Sequence, residues 1–305
     1  MKRSLPLSAL ATAALMAMPS LGWADNAAAH DVAEHCPDTI RVADTGIEGM
    51  EELTRAFEPF AEAMADAAGI EFEFFAVSDR TAAANVLQFD QVDLVLAGPS
   101  EYAIIASRQD VEIAWGLERA EYGTRFFVPA DSEVEELADL KGGTVALKDV
   151  GSTTGHITPA WMLTEAGLDI DRDLDIVMAA DNRVQVLLSG DVDALGGGYR
   201  DEEIIQRMDP DFDYRIVADS GTMPRDPFIA RAGLGSECIS ALRDVVEANQ
   251  EELFEAFVAP AELEGAGDEA EERSKYLEAK FVFDTTDEEY DQVREAYAIV
   301  GNPLD

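Results

Sequence analysis

The sequence predicts an α/β protein built as two lobes of similar design. Three observations carry that expectation. Short apolar runs alternate with helical patterns from residue 40 to about 109, the signature of strand–helix units around a parallel sheet. A second series of the same kind begins near residue 124. One phrase also recurs, QFDQVDLVLAG and later LLSGDVDALGGG, each a helix end, a turn, a Val-Asp and a strand running into glycine. With 305 residues and 47% hydrophobic content, the chain can bury two medium-sized cores.

Taken in order, IRVADTG reads as the first strand and GMEELTRAFEPFAEAMADAAG as an amphipathic helix stopped by Gly69. IEFEFFAV follows as a strand, then SDRTAAANVLQFDQ as a helix opened by Ser78 or Asp79. VDLVLAG is a buried strand that leads through Pro99-Ser100-Glu101-Tyr102 into the helix AIIASRQ. In the second series, TRFFVPA is a strand, SEVEELADLKGG a short helix and GTVAL a strand. HITPAWMLTEAGL is a helix, LDIVMAA a strand, NRVQVLLSGD a helix, and VDALGGGY a strand entering a glycine-rich loop. YRIVADSG and FIARAG are strands on either side of Met223-Pro224-Arg225-Asp226-Pro227, and the chain from Ser236 onward is mainly helical.

The N-terminus, Met-Lys-Arg-Ser followed by LPLSALATAALMAM, has the basic start and short apolar core of a secretory signal. Gly22 and Ala24 place the expected cut after Ala24, leaving residues 25–35 as a polar leader and an exported, periplasmic protein. The apolar run is shorter than the roughly 20 residues that span a bilayer. Formal net charge is −41, with 63 Asp and Glu against 22 Lys and Arg. Such a field repels nucleic acid and anionic membrane, and its even spread suits a surface adapted to high salt. Cys36 and Cys238 are the two cysteines; in an oxidising compartment they either pair or remain two thiols, and spacing alone does not choose. With only three histidines there is no zinc spacing, and neither a metal nor a cofactor is expected.

The most telling stretch is KDVGSTTGHITPA, residues 148–160. A strand that delivers hydroxyls and unpaired amides to a helix start makes an anion site, since the N–H groups and the positive end of the helix dipole face whatever sits there. A simple helix cap by Ser152 or Thr153 is the alternative. It is not a phosphate loop, because the Gly-Lys-Ser/Thr ending is missing, and Ser152 with His156 lacks the elbow and the orienting acid of a serine hydrolase.

With QFDQVDLVLAGPSEY, DLKGGTVALKDVGSTTGHITPAWMLTEAGL, GDVDALGGGY, MPRDPFIAR and KFVFDTTDEEYDQVREA in this order, the chain resembles the periplasmic phosphonate-, phosphite- and phosphate-binding proteins of ABC importers, the PhnD-like family. The resemblance implies a type II-like clamshell with two crossover strands, near Glu121–Phe127 and Thr222–Phe228. Lobe I then combines residues 36–120 and 228–305, and lobe II takes 121–227. It implies a monomer that closes on a small oxyanion and delivers it to a membrane permease, without chemistry. A sensor that presents phosphite or arsenite to a membrane kinase is the alternative. The family's hydroxyls fall on Ser152, Thr153 and Thr154, with Gly155 opening the helix, and its cleft tyrosine on Tyr122. Ser100 and Tyr102, after VDLVLAG, are further candidates. Two positions depart from the pattern: Arg80 replaces a tyrosine, and Arg200 stands, to within a residue or two after the glycine-rich loop, where aminophosphonate binders carry an acid, while Asp226 is kept. Paired arginines suit an anionic group rather than an ammonium, with pairing to the abundant acids as the alternative. Lys148, Arg183 and Arg225 also fall near the expected rim, with Asn182 beside Arg183, so an oxyanion without an amine is the expected ligand.

Overall fold

The computed structural model describes residues 27–48, 50–77, 82–262, 276 and 278–300. The expected signal segment, its cut after Ala24 and Arg80 lie outside these residues. The chain forms two sheets. The first, in order β11-β4-β10-β3-β1-β2, comprises β1 (Thr39–Glu48), β2 (Glu71–Val77), β3 (Leu94–Leu96), β4 (Val111–Glu118), β10 (Asp226–Arg231) and β11 (Lys280–Val282). The second, β7-β6-β8-β5-β9, comprises β5 (Thr124–Pro129), β6 (Thr144–Leu147), β7 (Asp175–Met178), β8 (Ala194–Gly198) and β9 (Tyr214–Asp219).

Each sheet is mixed rather than parallel throughout. β2-β1-β3 and β7-β6-β8 are the parallel triplets built by strand–helix units. β10 then runs antiparallel to β3 and β4, and β5 antiparallel to β8 and β9. The reason lies in the path: the chain leaves the first sheet after Glu118 and enters the second at Thr124, then returns between Asp219 and Asp226. A strand arriving from the other sheet is not constrained by the crossover rule that makes strand–helix–strand neighbours parallel.

The helices are α1 (Ala27–His35), α2 (Met50–Ala68), α3 (Ala82–Gln88), α4 (Pro99–Arg108), α5 (Thr158–Glu165), α6 (Ile170–Asp173), α7 (Arg183–Leu188), α8 (Arg200–Met208), α9 (Ser236–Ala248), α10 (Gln250–Glu262) and α11 (Asp291–Val300). In α2, Leu53, Phe57, Phe60, Met64 and Ala68 recur at three and four residues and are all buried, the stripe that seats the helix on the first sheet. There Phe57, Phe60, Phe228, Phe257 and Phe281 pack mostly edge-on or tilted to one another, each contributing about 1.5–3 kcal/mol by leaving water. None of the helices among the described residues is long and apolar enough to cross a membrane.

Several sequence expectations change or are resolved. The leader at 25–35 contains a helix, α1, whose Val32 is fully buried in the first core. SEVEELADLKGG contributes only a single 3-10 turn, Leu137–Leu140. The strand β4 and the helix α8 were not foreseen. Cys36 and Cys238 form a disulfide, with Cα atoms 4.9 Å apart, joining the end of α1 to α9.

Candidate functional site

β6 ends at Leu147, and the chain turns through Gly151, whose φ of +89° only glycine adopts readily. Ser152 caps the next turn, its Oγ accepting from Gly155 N–H at 3.3 Å, so the cap reading holds for this residue. The helix does not start as a regular α-helix. Thr153–Ile157 form a π-type turn, with Ile157 N–H donating to the Ser152 carbonyl at 2.9 Å and Thr158 N–H to that of Thr153. Pro159 contributes to this local winding: lacking an N–H, it cannot donate to the Gly155 carbonyl, which accepts from Lys148 N–H at 2.8 Å instead. That bond draws the turn against the strand end so closely that a Cβ on Gly155 would stand 2.5 Å from Lys148 Cβ. Wide turns of this kind are frequent at functional sites.

This turn is one wall of a cavity of about 120 Å³, lined by Ser152, Thr153, Thr154 and Gly155 on one side and by Arg119, Tyr122 and Asp226 from the two crossings. It is smaller than the roughly 300–1,000 Å³ of sites that take drug-sized ligands. Thr154 Oγ1 makes no hydrogen bond among the described residues. Thr153 Oγ1 accepts from Ser100 N–H at 3.0 Å and lies 2.7 Å from Ser100 Oγ. Ser100 is therefore a buried support for Thr153 and does not line the cavity.

Arg119, at the end of β4, is the residue sequence reasoning missed. Its Nη2 donates to Asp226 Oδ1 at 2.8 Å, and its guanidinium carbon lies 3.2 Å from the centre of the Tyr122 ring. Burial opposes its charge, yet the Asp226 carboxylate and the two tyrosine rings nearby hold it above its ordinary value. Burial likewise pushes the Tyr122 phenol up, so it remains a hydrogen-bond donor at any physiological pH.

A second buried pair meets the cavity from the other sheet. Arg183 donates to Asp201 Oδ1 through Nε and Nη2 at 2.9 and 2.6 Å. Gly197 makes room for it, since a Cβ there would collide with the Asp201 carboxylate. Both Arg200 and Asp201 line the cavity. An acid thus stands in the cavity wall one residue after Arg200, at a position the sequence reading passed over.

Lys148 also lines the cavity. Three expectations are corrected. Tyr102 packs against Tyr290 and donates to Asp287 Oδ1 at 2.6 Å, on the far side of α4 from the cavity. Asn182 is exposed in the turn before α7 and is not part of the lining. Arg225 does not reach the cavity; it ties the second crossing to Glu118, Asp284 and Glu289 at 2.8–3.2 Å.

His156 adds a pH dependence. Its Nδ1 accepts from Gly151 N–H at 3.1 Å, which requires an unprotonated ring, and burial lowers its pKa below the ordinary 6.5. Unfolding exposes a ring that protonates more readily, so the stabilisation is complete above about pH 6.5 and is lost as pH falls toward the lowered folded value. Melting temperature should decline through that window. A His156→Gln variant that shows the same decline would assign it elsewhere.

The model of one family, described as "ABC transporter, phosphonate, periplasmic substrate-binding protein", matches residues 47–268, well over half of the chain. The chain belongs to this family. As a member, it is a substrate-binding component of an ABC importer, a class that works in the periplasm with a small ligand and a membrane permease. Its similarity to the phosphate-import protein PhnD of Mycolicibacterium smegmatis is 24% identity over 302 residues, covering 88% of each chain. In fold, this phosphonate-family protein is similar to PhnD1 of Prochlorococcus marinus in complex with methylphosphonate, at 15% identity and a TM-score of 0.64, covering 86% of this chain and 98% of that one. It is also similar to the periplasmic aliphatic sulphonate-binding protein SsuA of Escherichia coli, at 14% identity and a TM-score of 0.60, covering 86% and 87%. Two-lobed α/β architecture is thus common to the family protein and both solved structures.

Proposed function

We propose that the protein captures a compact phosphorus oxyanion, a phosphonate, phosphite or phosphate, and delivers it to its permease. One observation carries this reading: the hydroxyl-bearing turn Ser152–Thr154, at the start of a helix, lines a small cavity together with Arg119 and Tyr122. An oxyanion spreads its negative charge over its oxygens and needs several donors and nearby cations; the lining supplies hydroxyls and the side chains of Arg119, Lys148, Arg183 and Arg200, among five carboxylates. The named import of phosphate by the mycobacterial relative and the methylphosphonate in the Prochlorococcus structure point the same way.

The sensor alternative has less behind it. The family is one of transport components, and the thiols that arsenite would need are joined in a disulfide. Binding without catalysis fits the engagement of Ser152 Oγ by Gly155 N–H and of His156 Nδ1 by Gly151 N–H, which leaves no serine–imidazole pair. The same reading includes export with removal of residues 1–24, a monomeric state, a surface suited to high salt, and lobes at 36–120 with 228–305 and at 121–227.

Calorimetry in high salt against phosphate, phosphite, methylphosphonate, 2-aminoethylphosphonate, phosphonoacetate and arsenite tests it. Single-site binding of a phosphorus oxyanion is expected, weakened about 10- to 150-fold in Thr154→Val through loss of one hydrogen bond to a charged oxygen. No binding of any phosphorus anion by the folded protein would refute the proposal.

A further inference from the structure

The turn that carries the hydroxyls is not held by its own sheet alone. Helix α4 follows β3 of the first sheet, and its cap position is Gly98, which has no side chain to satisfy the first amides of the helix. No side chain fits there either, since a Cβ on Gly98 would collide with the Glu101 carboxylate. The acceptor comes from the other sheet. Thr153 Oγ1, in the turn after β6, takes the Ser100 N–H at 3.0 Å, the amide two residues past Gly98 that a capping side chain would serve.

Ser100 in turn fixes where the Thr153 hydroxyl points. Ser100 Oγ lies 2.7 Å from the Gly151 carbonyl, 2.8 Å from Glu101 Oε2 and 2.7 Å from Thr153 Oγ1. A carbonyl and a carboxylate only accept, so the single Ser100 proton goes to one of them and Thr153 donates its own to Ser100 Oγ. No proton on Thr153 then remains for an oxyanion. Its neighbours differ: Ser152 Oγ accepts from Gly155 N–H and keeps its proton, and Thr154 Oγ1 makes no hydrogen bond among the described residues. Ser100 is fully buried and Thr153 is 4% exposed. Beside them, Ala103 and Ile104 of α4 and Val293, Ala296 and Tyr297 of α11 form one apolar cluster with Ile157 at the end of the turn, so the hydrogen bonds of this joint are made away from water.

We infer that Ser100 is a positioning residue for the anion site: through Thr153 and the Gly151 carbonyl it joins α4 of the first sheet to the Ser152–Gly155 turn of the second. The Thr153 hydroxyl is committed to that joint, and the ligand's oxygens are met by the hydroxyls of Ser152 and Thr154. Ligand affinity thereby depends on a residue outside the cavity lining. This rests on the oxyanion reading above and deepens it.

The test titrates phosphate, phosphite and methylphosphonate into the wild type, Ser100→Ala, Thr153→Val, Thr153→Ser and the double variant Ser100→Ala/Thr153→Val, with folding and melting followed by circular dichroism. Ser100→Ala should weaken the preferred anion about 3- to 10-fold, the net contribution of a hydrogen bond between neutral groups. Thr153→Val should fall in the same range, and the double variant should lie within about twofold of the weaker single variant, because both changes remove one joint. Thr153→Ser, which keeps the hydroxyl, should recover most of the loss. If a valine variant fails to fold, Ser100→Ala decides by itself, since it deletes a single oxygen. Unchanged affinity in folded Ser100→Ala overturns the inference, even if its melting temperature falls. So does a Thr153→Val loss of about 10- to 150-fold that multiplies with the Ser100→Ala loss, as a hydroxyl donating to the charged ligand itself would give. Either result leaves the oxyanion reading intact. Failure of all three anions to bind the folded wild type refutes both.

Discussion

Exchange of Cys36 and Cys238 for serine is expected to lower the unfolding free energy by about 2–5 kcal/mol, near the upper end of what one disulfide contributes. The bond joins residues 202 apart, so the loop it closes contains both crossings and the whole second sheet. Cross-linking so long a loop removes much of the freedom of the unfolded chain, and that entropy is the larger part of the stabilisation in the chain-entropy account. It also anchors α1, whose Val32 is buried in the first core beside α9. Melting of the oxidised and dithiothreitol-reduced protein in the same high-salt buffer measures the effect. Ligand affinity at room temperature should be unchanged, because the bond lies away from the cavity lining. Equal midpoints for the two forms would show that the bond adds nothing.

The second large effect is expected from Asp226→Ala, a loss of about 3–5 kcal/mol, the cost of leaving a buried charge without its partner. Asp226 and Arg119 are both largely out of water and 2.8 Å apart, so removing the carboxylate strands the guanidinium. Replacing both at once, Arg119→Met with Asp226→Leu, should restore most of the stability, because an apolar pair of similar volume avoids the desolvation of two ions. Denaturant titration of Arg119→Met, Asp226→Leu and the double variant gives the coupling directly. If the double variant is no more stable than Asp226→Ala, the pair is not the source of the loss.

How much of the site was legible depends on which signals are local. The turn from Ser152 to Gly155 stands out because hydroxyls, glycines and a proline sit within a few residues of one another between a strand and a helix. Arg119 did not stand out because β4 was not foreseen. The signal was there: Val111, Ile113, Trp115 and Leu117 alternate with Glu112, Ala114, Gly116 and Glu118, the period of a strand, and its last residue adjoins Arg119. Asp201 was hidden differently. The glycine run before it leaves the alignment loose by a residue or two, and the packing of its carboxylate against Gly197 shows that Asp201 turns inward. Tyr102 shows the opposite error. A residue at a strand's C-terminal end has the right address for a cleft, but its side chain leaves α4 on the face that packs against Tyr290.

From the sequence by itself came the class of the fold, most of its elements and the anion-suited turn, because each depends on periodicity or on residue types within one or two turns of chain. Tertiary structure alone decided the pairing of charges and of sulfurs. With 63 acidic side chains against 22 basic ones, every arginine has many candidate partners in the sequence. Arg119 meets Asp226 across 107 residues, and Cys36 meets Cys238 across 202. Such pairings depend on separations of a few ångströms in a low-dielectric interior, and those separations exist only once the chain has passed through the second sheet and returned, setting β10 beside β4 and α9 beside α1. The KDVGSTTGHITPA turn could be read as a place for an anion, but the arginine that shares its cavity could not.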